Sequence, residues 1–156
     1  MSRITTISND HGFFGIGIVN NSDEKNIGVL WRSAYILGAS FIFTVGKKYK
    51  PQGCDTTKTW AKIPLYHYKT MEDLKQNLPY STKIIAVELA ENAELIYSFK
   101  HPDQAIYLLG NEQIGLSEAI VESCHATVKI PGDRSLNVAV AGSIVMYDRS
   151  FKRNAL

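Results

Sequence analysis

Residues Ile130 to Tyr147 read IPGDRSLNVAVAGSIVMY, and the fold turns on what this stretch can become. Ile130-Pro131-Gly132-Asp133-Arg134 is a strand end followed by turn chemistry, since Pro, Gly and Asp each favour a turn for a separate reason. Ser135 or Asn137 can then cap a helix by accepting from the unpaired amides of its first turn. From Val138 to Tyr147 that helix has Ser143 as its one polar side chain, so it is apolar nearly all round. A helix of this kind is expected to be buried on every side. A chain of 156 residues has little material to wrap it, so burial is expected to need a partner subunit.

The rest of the chain supplies a sheet for this helix to pack on. Phe13 to Val19 (FFGIGIV) is a short apolar run expected as a buried strand. Ser22 or Asp23 can cap a helix over Lys25 to Leu37, where apolar residues at 27, 30, 31, 34 and 37 keep helical spacing. Gly38 sits where a helix-terminating glycine belongs, and Ser40 to Val45 is a second strand. This β-α-β order is the unit of a parallel sheet. Pro64 to Tyr68 and Lys83 to Leu89 are further strands, with a short helix between them from Thr70 to about Asn77. That helix opens on a capping-box pattern with Asp73 in place of Glu. Ala93 to Phe99 reads equally as strand or helix. Ala105 to Leu109 is a buried strand, Gly110 to Leu116 a loop, Ser117 the cap of a helix to about Ser123, and Ala126 to Ile130 the last strand. The fold class is therefore α/β, a mostly parallel sheet with helices on both faces. Ligands of such sheets sit outside the carboxyl ends of the strands.

Composition narrows the class. Apolar residues make up 45% and charged residues 21%, the balance of a single globular domain spanning 1–156. A net charge of +2 permits a nucleic-acid partner without demanding one. Cys54 and Cys124 form no disulfide framework, which points to a reducing cytoplasm. The N-terminus lacks the apolar core of a signal peptide. No apolar run reaches the roughly 20 residues that span a bilayer, so no membrane partner is expected.

Several chemistries are excluded. No phosphate-binding loop of the G-x-x-x-x-G-K-[ST] type occurs, and no G-x-G-x-x-G opens a helix after a strand. His11, His67, His101 and His125 have no ligand spacing with one another or with the cysteines, so no metal is expected. Cys124 and His125, adjacent in sequence, read as packing and surface rather than nucleophile and base. Three polar clusters remain: Asn26 with Arg32, Gly110-Asn111-Glu112 with Gly115, and Ser135 with Asn137. Read singly, Asn26 is a cap, Glu112 a loop charge and Arg32 a solvated helix residue. The glycines flanking Glu112 can let the backbone pass close to a flat ligand.

Taken together and in order, the three clusters resemble the signature motifs of the SpoU/TrmH-type branch of the SPOUT methyltransferase superfamily. The first is Asn26-Ile-Gly-Val-Leu-Trp-Arg32 continuing to Gly38. The second is Leu109-Gly110-Asn111-Glu112-Gln-Ile-Gly115-Leu116-Ser117. The third is Ile130-Pro131 followed by Ser135-Leu136-Asn137-Val138-Ala139-Val140-Ala141. The likeness runs from about Phe13 to Phe151. Gly132 stands where a Met is common, and the segment 46–62 has no counterpart.

The resemblance implies a C-terminal segment threaded into a deep trefoil knot, S-adenosylmethionine bound there, and a homodimer. It implies methylation of ribose 2′-hydroxyls in RNA, with tRNA ahead of rRNA as substrate. A non-catalytic RNA-binding protein of the same fold is the alternative. The residues implied for catalysis are Arg32, Asn26, Glu112, Ser135 and Asn137. Those implied for the cofactor are Leu89, Gly110, Ile130 and Leu136. Arg32 is discussed as a base in this family, but a guanidinium stays protonated in proteins, and a fork to the target phosphate suits it better. Two segments could grip RNA. One is the polar loop 46–62, whose lysines could meet phosphates while Tyr49 and Trp60 stack on bases. The other is the basic tail Arg149, Lys152 and Arg153, for which a favourable interaction with the helix macrodipole is the simpler reading.

Overall fold

A computed structural model describes residues 12–50 and 58–154. The first strand, β1 (Phe13–Val19), shows how the sequence dictates its packing. Phe14, Ile16 and Ile18 are buried toward one face of the sheet. Gly15 and Gly17 face the other, beside β2 (Phe41–Val45), in a parallel register that pairs Gly15 with Phe41 and Gly17 with Phe43. A Cβ at Gly15 would lie 2.6 Å from the Phe41 ring, and one at Gly17 would lie 2.5 Å from the Phe43 ring. The two glycines are the space into which the neighbouring rings pack.

Between these strands runs α1 (Glu24–Ile36), which buries Asn26, Ile27, Leu30, Trp31 and Ala34. Asp23 caps it, its carboxylate accepting from the Lys25 amide at 2.9 Å. Asn26 is thus not the cap, because Asp23 already takes that place and leaves Asn26 free to point elsewhere. Gly38 ends the helix at φ +87°, which a side chain would strain. β3 (Leu65–Tyr68) and α2 (Met71–Gln76) follow. Thr70 accepts from the Asp73 amide at 3.1 Å, and the Asp73 carboxylate returns to the Lys69 amide, one residue before the cap. The remaining elements are β4 (Lys83–Val87), β5 (Glu94–Leu95), β6 (Gln104–Leu109), α3 (Glu118–Ser123), β7 (Ala126–Lys129) and α4 (Val138–Asn154). Of the ambiguous segment Ala93 to Phe99, Glu94 and Leu95 form β5, the Ile96 amide still donates to the Lys129 carbonyl at 3.0 Å, and a turn closes at Phe99.

The strands lie in the order β3-β2-β1-β6-β4-β7-β5, every pair parallel. Leu30 of α1 and Val145 and Met146 of α4 pack with Ile16, Tyr107 and Leu109 on one face. Leu74 of α2 packs with Phe43, Ile106 and Leu108 on the other, where Ile120 and Val121 of α3 lie against them. Helices therefore cover both faces. Among the described residues, no helix is long and apolar enough to cross a membrane.

Within the single chain α4 is not buried on every side; the burial expected of it was to be completed by a partner subunit. Val138, Ala139, Val145 and Met146 are buried, but Val140, Ile144, Tyr147 and Phe151 are 46%, 36%, 62% and 60% exposed. Their spacing puts them on one stripe, and none of the described residues covers it. Nor is the basic end of α4 a free surface. Arg149 is 1% exposed and donates to the carbonyls of Pro102 and Asp103 and to the Tyr107 hydroxyl, with the Phe14 ring 5.0 Å away. Lys152 donates to the carbonyls of Ile96 and Phe99, and Arg153 pairs with Asp103 at 2.7 Å. The tail serves the fold, because its cations satisfy carbonyls of the 96–103 connection that only the packed structure brings near.

His101 completes this anchor. Arg149 donates to the Tyr107 oxygen, so the Tyr107 hydroxyl gives its proton to His101 Nδ1 at 2.6 Å, and Nε2–H donates to Asp148 at 2.8 Å. This pattern needs a neutral ring, for a protonated His101 would leave the fully buried Tyr107 hydroxyl without an acceptor. Burial likewise pushes the His101 pKa below its ordinary 6.5, against the opposing pull of Asp148. The unfolded chain then binds the extra proton first. The contribution is whole above pH 6.5 and is lost as pH falls from there toward the folded value. Urea midpoints should drop between about pH 7 and 5, and His101→Asn should flatten that slope while lowering stability overall.

Candidate active site

The carboxyl ends of β4, β6 and β7 open on one cavity of about 270 Å3. Its wall comes from three connections: Val87 to Leu89, Leu109 to Gly115, and Ile130 to Ala141. The middle loop is shaped by its own backbone. Asn111 and Gly115 form an antiparallel bridge, and the Asn111 carboxamide accepts from the amides of Gln113 and Ile114. A Cβ at Gly110 would lie 2.6 Å from the Gly115 Cα. Gly110 is therefore demanded by the loop folding on itself, and it also lines the cavity. Glu88 supports the loop from below, its carboxylate accepting from the amides of Leu116 and Leu89 at 2.9 and 3.1 Å.

A line of hydrogen bonds joins the three polar clusters. Asn137 caps α4, its side-chain oxygen accepting from the amides of Ala139 and Val140. Its amide nitrogen donates to the Asn26 oxygen at 3.0 Å. Asn26 in turn donates to one oxygen of Glu112, and the Ser22 hydroxyl donates to the other. Residues 86 and 111 positions apart along the chain are thus clipped together, with Asn26 itself 8% exposed.

The residues singled out from the sequence fall into three groups. Leu89, Gly110, Ile130 and Leu136 all line the cavity, as do Glu112 and Ser135. Asn26 and Asn137 stand behind it and spend their polar atoms on the clip. Arg32 is brought to neither: it is exposed on α1, lines no part of the cavity and pairs with none of the described residues. Glu112 is engaged by Asn26 and Ser22. Three residues went unnoticed in the sequence. Ser22 read as a possible cap, Glu88 as the end of a strand, and Arg134, which also lines the cavity, as part of a turn. The position of Glu88 and Arg134 at strand ends was the one available signal.

The described part of the loop 46–62 docks on α1. The Lys50 amide donates to Glu24, the Trp31 indole donates to the Ile63 carbonyl at 3.0 Å, and Tyr49 meets the Trp31 ring edge-on at 6.1 Å. Tyr49 is half-buried against the Trp31 edge. Lys47, Lys48, Lys58 and Lys62 are exposed. Residues 51–57, with Cys54, and the Trp60 side chain lie outside the described residues. His125 accepts from the Ile84 amide at 2.9 Å, and Cys124 is a half-buried free thiol whose pKa burial raises. Among the described residues, no group of three or more His, Cys, Asp or Glu side chains is placed to hold a metal ion.

A parallel sheet carrying its cavity over β4, β6 and β7, with three clipped loops, defines a class, and comparison with known proteins identifies it. Residues 14–147 match the model of the SpoU rRNA Methylase family, and the chain belongs to that family. It is 28% identical over 148 residues to the 23S rRNA (uridine(2479)-2'-O)-methyltransferase of Streptomyces viridochromogenes, covering 87% of this chain and 52% of that protein. The tRNA (cytidine(34)-2'-O)-methyltransferase of Ancylobacter novellus is 38% identical over 66 residues, 40% of each chain. The AdoMet-bound rRNA methyltransferase of Sinorhizobium meliloti superposes with a TM-score of 0.81 at 25% identity, over 93% of this chain and 57% of that one. The chain spans about half the length of the first of these relatives.

The clip predicts coupled energetics. Asn137→Ala should cost about 1 kcal/mol as a lost cap and about 1 kcal/mol more for the unpaired Asn26 carbonyl. Urea unfolding of Asn26→Ala, Asn137→Ala and the double variant should give a coupling energy of about 0.5 kcal/mol or above, and strict additivity would show that the clip carries no stability.

Proposed function

We propose that this chain is an S-adenosylmethionine-dependent RNA ribose 2′-O-methyltransferase, with tRNA as its substrate. The observation that carries the reading is the convergence of the three motif loops on one cavity at the carboxyl ends of the strands. Family membership and the printed activities of the relatives support it. The 38% identical stretch of 66 residues shared with a tRNA enzyme supports the choice of tRNA, while rRNA enzymes match over more of the chain.

The cavity fits the cofactor. Leu89, Leu109, Ile130, Leu136 and Val138 offer apolar walls to an adenine, and the carboxylates of Glu88 and Glu112 stand where a cationic sulfonium is welcome. When bound, S-adenosylmethionine supplies a methyl group on a sulfonium, activated so that the chain needs only to orient the attacking hydroxyl. The clip of Asn137, Asn26 and Glu112 holds the three loops at fixed separation, so these are positioning residues. Ser135, exposed at the cavity wall, is placed to hydrogen-bond the target nucleotide. Arg32 keeps its charge and forks to a phosphate of the RNA.

The reading includes a homodimer. Val29, Arg32 and Ile36 share one exposed face of α1, and Val140, Ile144, Tyr147 and Phe151 form the uncovered stripe of α4. Pairing two chains through these apolar faces removes them from water and carries Arg32 to the partner's cavity, which would explain its distance from its own. The reading also includes the trefoil knot. The connection from β4 runs out past β7 to β5 and back to β6, and its 96–103 part lies across α4 through Lys152, Asp148 and Arg149. That arrangement supports a C-terminus threaded beneath the returning connection. The whole acts as one catalytic domain, in the cytoplasm, where a free Cys124 thiol persists.

The test is transfer of a tritiated methyl group to bulk tRNA and rRNA, with nuclease digestion to 2′-O-methylnucleosides. Labelled tRNA is the expected outcome, labelled rRNA alone would redirect the substrate, and no label in either would leave a non-catalytic RNA-binding protein. Arg32→Ala should lower transfer at least a hundredfold while S-adenosylhomocysteine affinity by calorimetry stays within twofold.

A further inference from the structure

Arg134 has no role in the reading above, yet it is the one cationic side chain among the described residues that line the cavity. The other charged groups of the wall, Glu88 and Glu112, are both anionic and both committed. Glu88 accepts from the amides of Leu89 and Leu116, and Glu112 from Ser22 and Asn26. Arg134 is exposed and bonds to none of the described residues, so its five N–H donors are unspent. It lies beside Ser135 and Leu136 on the connection that joins β7 to α4, whose far end Asn137 pins through the clip. A flexible side chain is thus carried on a fixed backbone.

Resting on the proposed methyl-donor site, we infer that Arg134 is the anchor for the carboxylate at the amino-acid end of the donor. The electrostatics require such a group. A methyl donor of this type carries a sulfonium, an ammonium and a carboxylate. The first two are favoured next to Glu88 and Glu112, whereas the carboxylate is repelled by both. A planar guanidinium accepts a carboxylate through two parallel hydrogen bonds, which gives orientation as well as charge balance. Arg134 therefore fixes which end of the donor lies toward Ser135 and holds its amino-acid chain away from the apolar wall formed by Leu109, Ile130 and Val138.

The probes are S-adenosylhomocysteine, which keeps the carboxylate, and 5′-methylthioadenosine, which shares the adenosine and the sulfur but lacks the amino-acid chain. Both are titrated by calorimetry into the full chain and its Arg134→Ala and Arg134→Lys variants. Arg134→Ala should weaken S-adenosylhomocysteine roughly tenfold or more and leave 5′-methylthioadenosine unchanged, with Arg134→Lys between the two. Equal losses for both ligands would make Arg134 a prop of the loop and overturn the assignment. Unchanged affinity for both would overturn it as well and leave Arg134 to an RNA phosphate. Failure of the unaltered chain to bind S-adenosylhomocysteine at all would instead bring down the methyl-donor reading on which the inference rests.

Discussion

Everything at the site hangs on a carboxylate, Glu112, that two side chains reach from the other end of the chain's first motif. Asn26 takes one oxygen and Ser22 the other, while Asn137 holds Asn26 from behind. Asn26 is the buried member, and its polar atoms are met by the exposed Glu112 and Asn137 on either side. Asn137 illustrates the economy of the arrangement. The same side chain that caps α4 with its oxygen closes the clip with its nitrogen. The beginning of the C-terminal helix and the geometry of the cavity are thereby set by one residue.

A second anchor works at the opposite end of that helix. The 96–103 connection leaves several backbone carbonyls without partners in any strand. Arg149 and Lys152 satisfy four of them, at Pro102, Asp103, Ile96 and Phe99. Burial of a guanidinium is costly unless its donors are met, and here carbonyls, the Tyr107 hydroxyl and the Phe14 ring meet it. Burial lowers the Arg149 pKa, but Tyr107 and Asp103 work against that and favour the charged form. Held at both ends, α4 can leave a stripe of Val140, Ile144, Tyr147 and Phe151 uncovered without losing its place.

Much of this was open to a reader of the sequence. The apolar runs marked every long strand, Gly38 marked the end of α1, and Thr70 and Ser117 capped the helices they precede. The motif residues Leu89, Gly110, Ile130 and Leu136 do share one cavity wall. Other features depend on neighbours that no local pattern shows. The apolar helix leaves four side chains exposed in the single chain, because composition counts side chains and not the surfaces available to cover them. Tyr49 meets Trp31 edge-on, and nothing local shows that this ring lies beside it. Gly110 carries a constraint that no local pattern shows, since the space it leaves is filled by Gly115.

The amino-acid sequence by itself determined the elements, their order and their parallel pairing, since period, caps and turn residues act over a few positions. It also determined which polar clusters lie at strand ends. Only the tertiary structure decided how polar groups are shared out. Arg149 and Arg32 are chemically the same residue on exposed-looking stretches of helix, yet one is buried among carbonyls 46 and 47 positions away and the other faces outward. Such partnerships rest on distances in space between groups remote along the chain. No local pattern encodes them, because a guanidinium or a carboxamide is equally content with water until the packed sheet removes the water and supplies the partner.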